Sequence, residues 1–167
     1  GVMLLIGFLV SFYLAMSLGR LPYLSIFPAA VIGLLFYNIK WKGIPLVGNF
    51  TIALYCAGVA AILWVAEAPA LNQLYIQDAS AYQLAWTVFF WYMLFAFFST
   101  MIREIIKDLQ DIKGDEQAGL KTMPIAWGKR TAKAMALLFS LLFFVILAFF
   151  GWQFHTVFGR NMLAYLC

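Results

Sequence analysis

Apolar residues run through this chain in long blocks, each closed by a short polar or glycine–proline segment. Five blocks are long enough to cross a membrane, at about Val2–Leu18, Leu21–Ile39, Phe50–Ala66, Tyr82–Ile102 and Thr131–Gly151. A membrane helix needs about 20 mostly apolar residues, rising 1.5 Å each, to cross roughly 30 Å of hydrocarbon. Lipid offers the backbone no hydrogen-bond partners, so such blocks predict helices and not open strands. The first two are joined by Gly19-Arg20-Leu21-Pro22, a tight turn with proline at an early helical position. A further apolar run, Asn161–Cys167, reads as the start of a sixth helix. The expected fold is all-α: a polytopic transmembrane helical bundle of about five spanning helices, one transmembrane domain over residues 1–167.

Composition agrees with the pattern and removes other classes. Of the 167 residues, 65% are apolar and 11% charged, against roughly 45–50% and about 25% in an ordinary soluble domain. The mean hydropathy is +0.92. So little charge does not cover a water-facing surface, and 19% aromatic residues would collapse a disordered tail. The pI of about 9.1 does not point to nucleic acid, because the basic residues sit in loops between apolar blocks. Nine of the eleven Lys and Arg fall in two segments, Asn38–Asn49 and Arg103–Lys133, while the loop Glu67–Ala81 has none. By the positive-inside rule those two segments face the cytoplasm, in what is expected to be a prokaryotic inner membrane. Val2–Leu18 lacks the basic start and cleavage site of a signal peptide. Cys56 and Cys167 form neither a disulfide framework nor a metal motif.

Five of the seven acidic residues lie within Glu104–Glu116. No proline interrupts this stretch, so the Tyr82–Ile102 helix is expected to run about three turns beyond the membrane. At about 100° per residue, Glu104, Asp108, Asp111 and Asp115 then form one stripe less than about 60° wide, with Lys107 flanking it and Lys113 roughly opposite. Like charges at i, i+4 repel, so a solvated helix end is the blander account and the less economical one. The stripe suits a divalent cation: Mg²⁺ takes oxygen ligands and is held by one or two carboxylates together with substrate phosphates. A carboxylate ladder at the membrane face would bring Mg²⁺ to a diphosphate whose lipid tail stays in the bilayer. Softer metals lack ligands here, with one histidine in the chain and no paired cysteine. After the ladder, Ala118-Gly119 ends the helix and Lys121-Thr122-Met123-Pro124 leads into a short apolar piece closed by Trp127-Gly128. Lys121 is a candidate contact for a diphosphate oxygen.

The other basic loop contributes Tyr37, Lys40 and Lys42, which can reach the same mouth. Asn49, at the head of the next span, is placed to cap that helix or face a cavity.

Together these two loops resemble the UbiA superfamily of intramembrane prenyltransferases. Its second aspartate-rich motif is similar to Lys107-Asp108-Leu109-Gln110-Asp111-Ile112-Lys113-Gly114-Asp115, followed by Gly119-Leu120-Lys121-Thr122-Met123-Pro124-Ile125 and Trp127-Gly128. The Tyr37…Lys42…Pro45…Gly48-Asn49 loop resembles the connector between that family's fourth and fifth helices. The resemblance implies a fragment of a domain of about nine helices, covering roughly the third to seventh. The family's first motif, N-D-x-x-D-x-x-x-D, has no counterpart here, so the fragment is expected to be inactive alone. The implied reaction moves an isoprenoid group, geranylgeranyl or longer, from its diphosphate to a lipophilic acceptor with Mg²⁺ as cofactor. Catalytic and metal-binding roles then fall on Asp108, Asp111 and Asp115. Tyr37, Lys40, Lys42 and Lys121 bind diphosphate, and Asn49 lines the cavity. Which of Lys40 and Lys42 plays the family's lysine role stays open, as does the acceptor, a glycerol-phosphate lipid or an aromatic quinone precursor. Two other classes compete with this one. A CDP-alcohol phosphotransferase would need Ala-Arg after the Asp-Gly pair, which this chain lacks. A non-catalytic membrane subunit would use its acidic helix to dock a partner.

Overall fold

In the computed structural model, the backbone is described for residues 2–166 and the side chains for residues 2–153. Eight α-helices follow one another, and no strand occurs among the described residues. They are α1 (Val2–Ser17), α2 (Ile26–Phe36), α3 (Val47–Ala66), α4 (Ala68–Gln77), α5 (Ala79–Gln110), α6 (Ile112–Gln117), α7 (Met123–Ala126) and α8 (Lys129–Leu166). A 3₁₀ turn, Leu21–Ser25, leads into α2, and a π turn, Tyr37–Trp41, ends it.

Four helical stretches are long and apolar enough to cross a membrane: Leu21–Trp41, Val47–Ala66, Ala79–Gln110 and Lys129–Gln153. The fifth expected span, α1, is an apolar helix of 16 residues. The sixth helix expected from Asn161 is instead the continuation of α8, which runs unbroken to Leu166. No proline intervenes to stop it. Among the charged and titratable residues, His155 and Arg160 fall outside the residues with described side chains. The connection read as a plain loop, Glu67–Ala81, holds the ten-residue α4, which folds back on α5.

The organising helix is α5, flanked by α3 along one side and α8 along the other. It has 32 residues, about 48 Å at 1.5 Å each, and so exceeds a hydrocarbon layer of roughly 30 Å. The excess lies at the Arg103–Gln110 end, which carries the helix's charged residues and follows the apolar block Tyr82–Ile102. Just there the bundle closes its small core. Ala53 of α3, Met101 and Ile105 of α5, Met123 of α7 and Ala132 of α8 are fully buried together, with Leu46, Phe97, Leu109 and Phe139 packed around them. Toward the opposite end the helices touch through rings, Trp64 on Trp86 and Phe89 at 4.9 and 4.6 Å, and Phe98 stacked on Phe143 at 5.9 Å.

Two backbone details set the charged end. Leu46, which opens α3, has φ +67°, a conformation costly for a branched apolar residue and held by its packing on the core. Gly48 brings α3 against the π turn. A Cβ there would lie 3.1 Å from the Trp41 carbonyl oxygen and 3.2 Å from that of Lys42.

Candidate functional site

Four segments converge at the charged end: the π turn, the start of α3, the last turns of α5, and the α6–α7 corner. Asn49 lies in the first turn of α3, after Leu46, so it neither caps the helix nor borders any of the described cavities. Its Nδ2 donates to Asp108 Oδ2 at 2.7 Å, and the two residues are 6% and 8% exposed. A carboxylate so buried requires such a partner. Burial still dominates and holds the Asp108 carboxyl above the ordinary carboxylate range, against the Asn49 hydrogen bond and the Lys107 charge, which favour ionisation.

One turn before Asp108, Glu104 is also buried. Lys107 Nζ donates to its Oε2 at 3.3 Å, and Arg103 lies 3.9 Å from the other oxygen. Burial opposes the charge on Lys107. The Glu104 carboxylate, by charge and hydrogen bond, with Asp108 and Tyr37 adding to it, outweighs that and holds the ammonium above the ordinary lysine value. Tyr37 stands within electrostatic reach of Lys107, Glu104, Asp108 and Asp115, so the π turn does bring it to the mouth.

The expected extension past Ile102 is helical to Gln117, with one interruption at Asp111. The helix ends at Gln110 and Asp111 sits at a bend, φ −94° and ψ +12°, before α6 begins. Backbone bonds still bridge the bend, Asp111 N to Lys107 O and Asp115 N to Asp111 O, each 2.9 Å. The bend turns Asp115 toward the next corner, where Thr122 Oγ1 donates to its Oδ2 at 3.0 Å. Anchorage of α7 in the core through Met123 outweighs straight continuation of the helix. The four carboxylates differ in exposure. Glu104 and Asp108 are buried, Asp115 is half-buried, and Asp111 is exposed.

Lys40, Lys42 and Lys121 are exposed, and among the described residues none of them forms an ion pair. The two basic loops do meet, since a Cβ on Gly43 would lie 3.4 Å from Leu120 and 3.7 Å from the Lys121 nitrogen. Lys107, which the spacing places only at the flank of the stripe, and Thr122, for which the sequence carries no signal, join the candidate site, and Glu104 of that stripe is buried beside Lys107.

Among the described residues no three His, Cys, Asp or Glu side chains converge closely enough to cage a metal. The donors at this end are oxygens from one or two carboxylates at a time, which fits a hard divalent cation shared with a phosphate ligand and does not fit a fully protein-held ion. Three cavities lie elsewhere and are almost wholly apolar. They measure about 620 Å³ between α2 and α3, 420 Å³ among α1, α2 and α3, and 240 Å³ between α5 and α8.

Comparison with known proteins agrees with this reading of the two loops. Residues 1–166 match the profile described as the UbiA prenyltransferase family. The chain is 34% identical over 119 residues to a digeranylgeranylglyceryl phosphate synthase of Methanopyrus kandleri, covering 68% of this chain and 36% of the relative. It is 35% identical over 147 residues to the protein of that name from Natronomonas pharaonis, covering 82% and 47%. With that of Methanothermobacter thermautotrophicus it shares 29% over 142 residues, covering 85% and 44%. Across these three matches the chain spans about a third to a half of the relative's length. No solved structure matches it.

Proposed function

Because the chain belongs to the UbiA prenyltransferase family, we propose that the protein carrying it transfers a geranylgeranyl group from its diphosphate to geranylgeranylglyceryl phosphate within a membrane. The observation that supports this most is the convergence of Tyr37, Lys107, Asp108 and Asp115 at the end of α5. The relatives' names supply the donor length and the acceptor class. The collection of nine of eleven basic residues in the segments flanking this end favours a cytoplasmic orientation, in a prokaryotic inner membrane.

In this reading Asp111 and Asp115, with Asp108 beside them, would share Mg²⁺ with the substrate phosphates, and the ion would supply positive charge to the leaving diphosphate. The protein's own groups do the rest. Asn49 fixes the Asp108 carboxylate, and Thr122 fixes that of Asp115. Lys40 or Lys42, with Lys121, donates to the diphosphate oxygens as charge-assisted hydrogen bonds. The allylic carbon–oxygen bond breaks with its electron pair going to diphosphate. The ring of Tyr37 steadies the carbocation by about 0.5–2 kcal/mol. The acceptor hydroxyl oxygen then bonds to the cation and releases its proton. Apolar surfaces between the helices accept the isoprenoid chain.

The test uses the intact protein in membranes with labelled geranylgeranyl diphosphate and Mg²⁺. Geranylgeranylglyceryl phosphate, 4-hydroxybenzoate and 1,4-dihydroxy-2-naphthoate are offered separately as acceptors. Label is expected in the glycerol-phosphate lipid, with transfer lost on chelation and in Asp111→Asn/Asp115→Asn. Equal transfer by the double variant would remove these residues from the site. Label only in an aromatic product would move the protein to a quinone-precursor branch.

A further inference from the structure

A Glu–Lys pair at i, i+3 on a helix is ordinary when both side chains are in water, where it contributes little. The pair at the end of α5 differs in where its acid lies. The Glu104 side chain is 9% exposed and neighbours the fully buried Met101 and Ile105, while Lys107 is 46% exposed. Burying a carboxylate costs more than a surface pair returns, and a buried ion pair is weak evidence for stability. Arg103, 3.9 Å away and 74% exposed, is a solvated neighbour beyond hydrogen-bond length. Glu104 therefore directs its hydrogen bond to Lys107, whose flexible stem would otherwise sample many rotamers in water. Besides Glu104, the groups around that ammonium are Asp108 from α5 and Tyr37 from the π turn, and Tyr37 in turn lies within electrostatic reach of Asp115 from α6.

We propose that Glu104 is a positioning residue, whose buried carboxylate holds the Lys107 ammonium over the mouth formed by Tyr37, Asp108 and Asp115, where Lys107 meets the diphosphate of the donor. The inference rests on the prenyl-transfer reading above and adds two residues to it. Glu104 touches no substrate. Its effect passes through Lys107 alone, and that is what separates it from a residue that merely packs.

The experiment measures steady-state transfer by the intact protein in membranes, with geranylgeranyl diphosphate and geranylgeranylglyceryl phosphate varied in turn. Glu104→Gln, nearly the same shape, is expected to raise the donor KM about tenfold, the scale of one charge-assisted hydrogen bond. The kcat should change by less than about threefold and the acceptor KM should stay put. Glu104→Asp, which keeps the charge, should recover part of the loss, and it serves as the readable variant if Glu104→Gln fails to fold. In a Lys107→Gln background, Glu104→Gln should add less than about twofold, because the group it positions is gone. An equal penalty in both backgrounds, or an unchanged donor KM in the single variants, overturns the inference and leaves the prenyl-transfer reading standing. If the unsubstituted protein transfers label to no acceptor, that reading falls and takes this inference with it.

Discussion

At one end of α3, Arg20 and Tyr23 reach across from the α1–α2 turn to its last carbonyls. Arg20 donates to the Ala66 oxygen at 3.1 Å and Tyr23 to the Val65 oxygen at 2.8 Å, while the guanidinium lies 5.4 Å from the Tyr23 ring. At the other end Asn49 reaches from the first turn to a buried aspartate on α5. Both contacts fasten the same helix to a neighbour. The first is explained by fastening alone, since a cation and a hydroxyl at a helix C-terminus satisfy carbonyls that have no intrahelical donor. The second is not, because two carboxylates are drawn out of water where apolar packing would be cheaper. The difference separates an end that stability alone explains from the end where the proposed chemistry would sit.

The comparison predicts a graded set of effects. Asp115→Asn, which keeps an oxygen for the Thr122 hydroxyl, should lower transfer by about 10²–10³-fold, the scale of losing a preorganised electrostatic group at a reacting centre, with little change in thermal unfolding. Asn49→Leu leaves the buried Asp108 without its donor and should destabilise the protein by about 1–3 kcal/mol, read as a lower unfolding midpoint in detergent. Arg20→Leu should cost about 1–2 kcal/mol of stability while kcat stays at the unsubstituted value. Loss of transfer in that variant would break the division between the ends. The smallest effect belongs to Asp78, whose Oδ1 accepts from the Ser80 and Ala81 amides at 3.0 Å and caps α5. The Ser80 side chain foremost, then the Ala81 amide, hold its carboxyl below the ordinary value. A lowered pKa stabilises the fold above the unfolded-state value and ceases to do so as pH falls through the folded one. Asp78→Ala should therefore melt slightly earlier at neutral pH, and the two proteins should converge in acid.

The spans were legible because lipid-facing helices need long apolar runs, and Phe50–Ala66 and Thr131–Gly151 fall inside the helices that form. The boundaries that were missed have local causes a hydropathy pattern does not carry. The helix at Val47 starts three residues early because Leu46 adopts a positive φ that its side-chain packing sustains. The bend at Asp111 has neither glycine nor proline to announce it, arising where α7 is anchored in the core and Asp115 bonds Thr122. Of the site, the aspartates, Tyr37 and Asn49 could be named from their neighbours in sequence. The Asn49–Asp108 contact joins residues 59 positions apart and exists only once α3 lies on α5. Glu104 reads as one more member of the carboxylate stripe until its burial beside Lys107 is seen.

The length of α5 has a consequence for where this protein works well. Its spanning stretch and its polar end are one continuous rod, so Asp108, six residues past Ile102, stands about 9 Å above the last apolar turn. Membrane thickness thereby becomes a variable of the proposed reaction. A thicker bilayer makes the rod stand more upright or draws the mouth toward the headgroups, and a thinner one tilts it. Reconstitution in lipids of graded acyl length reads this directly, as an optimum in transfer that no change of substrate concentration moves.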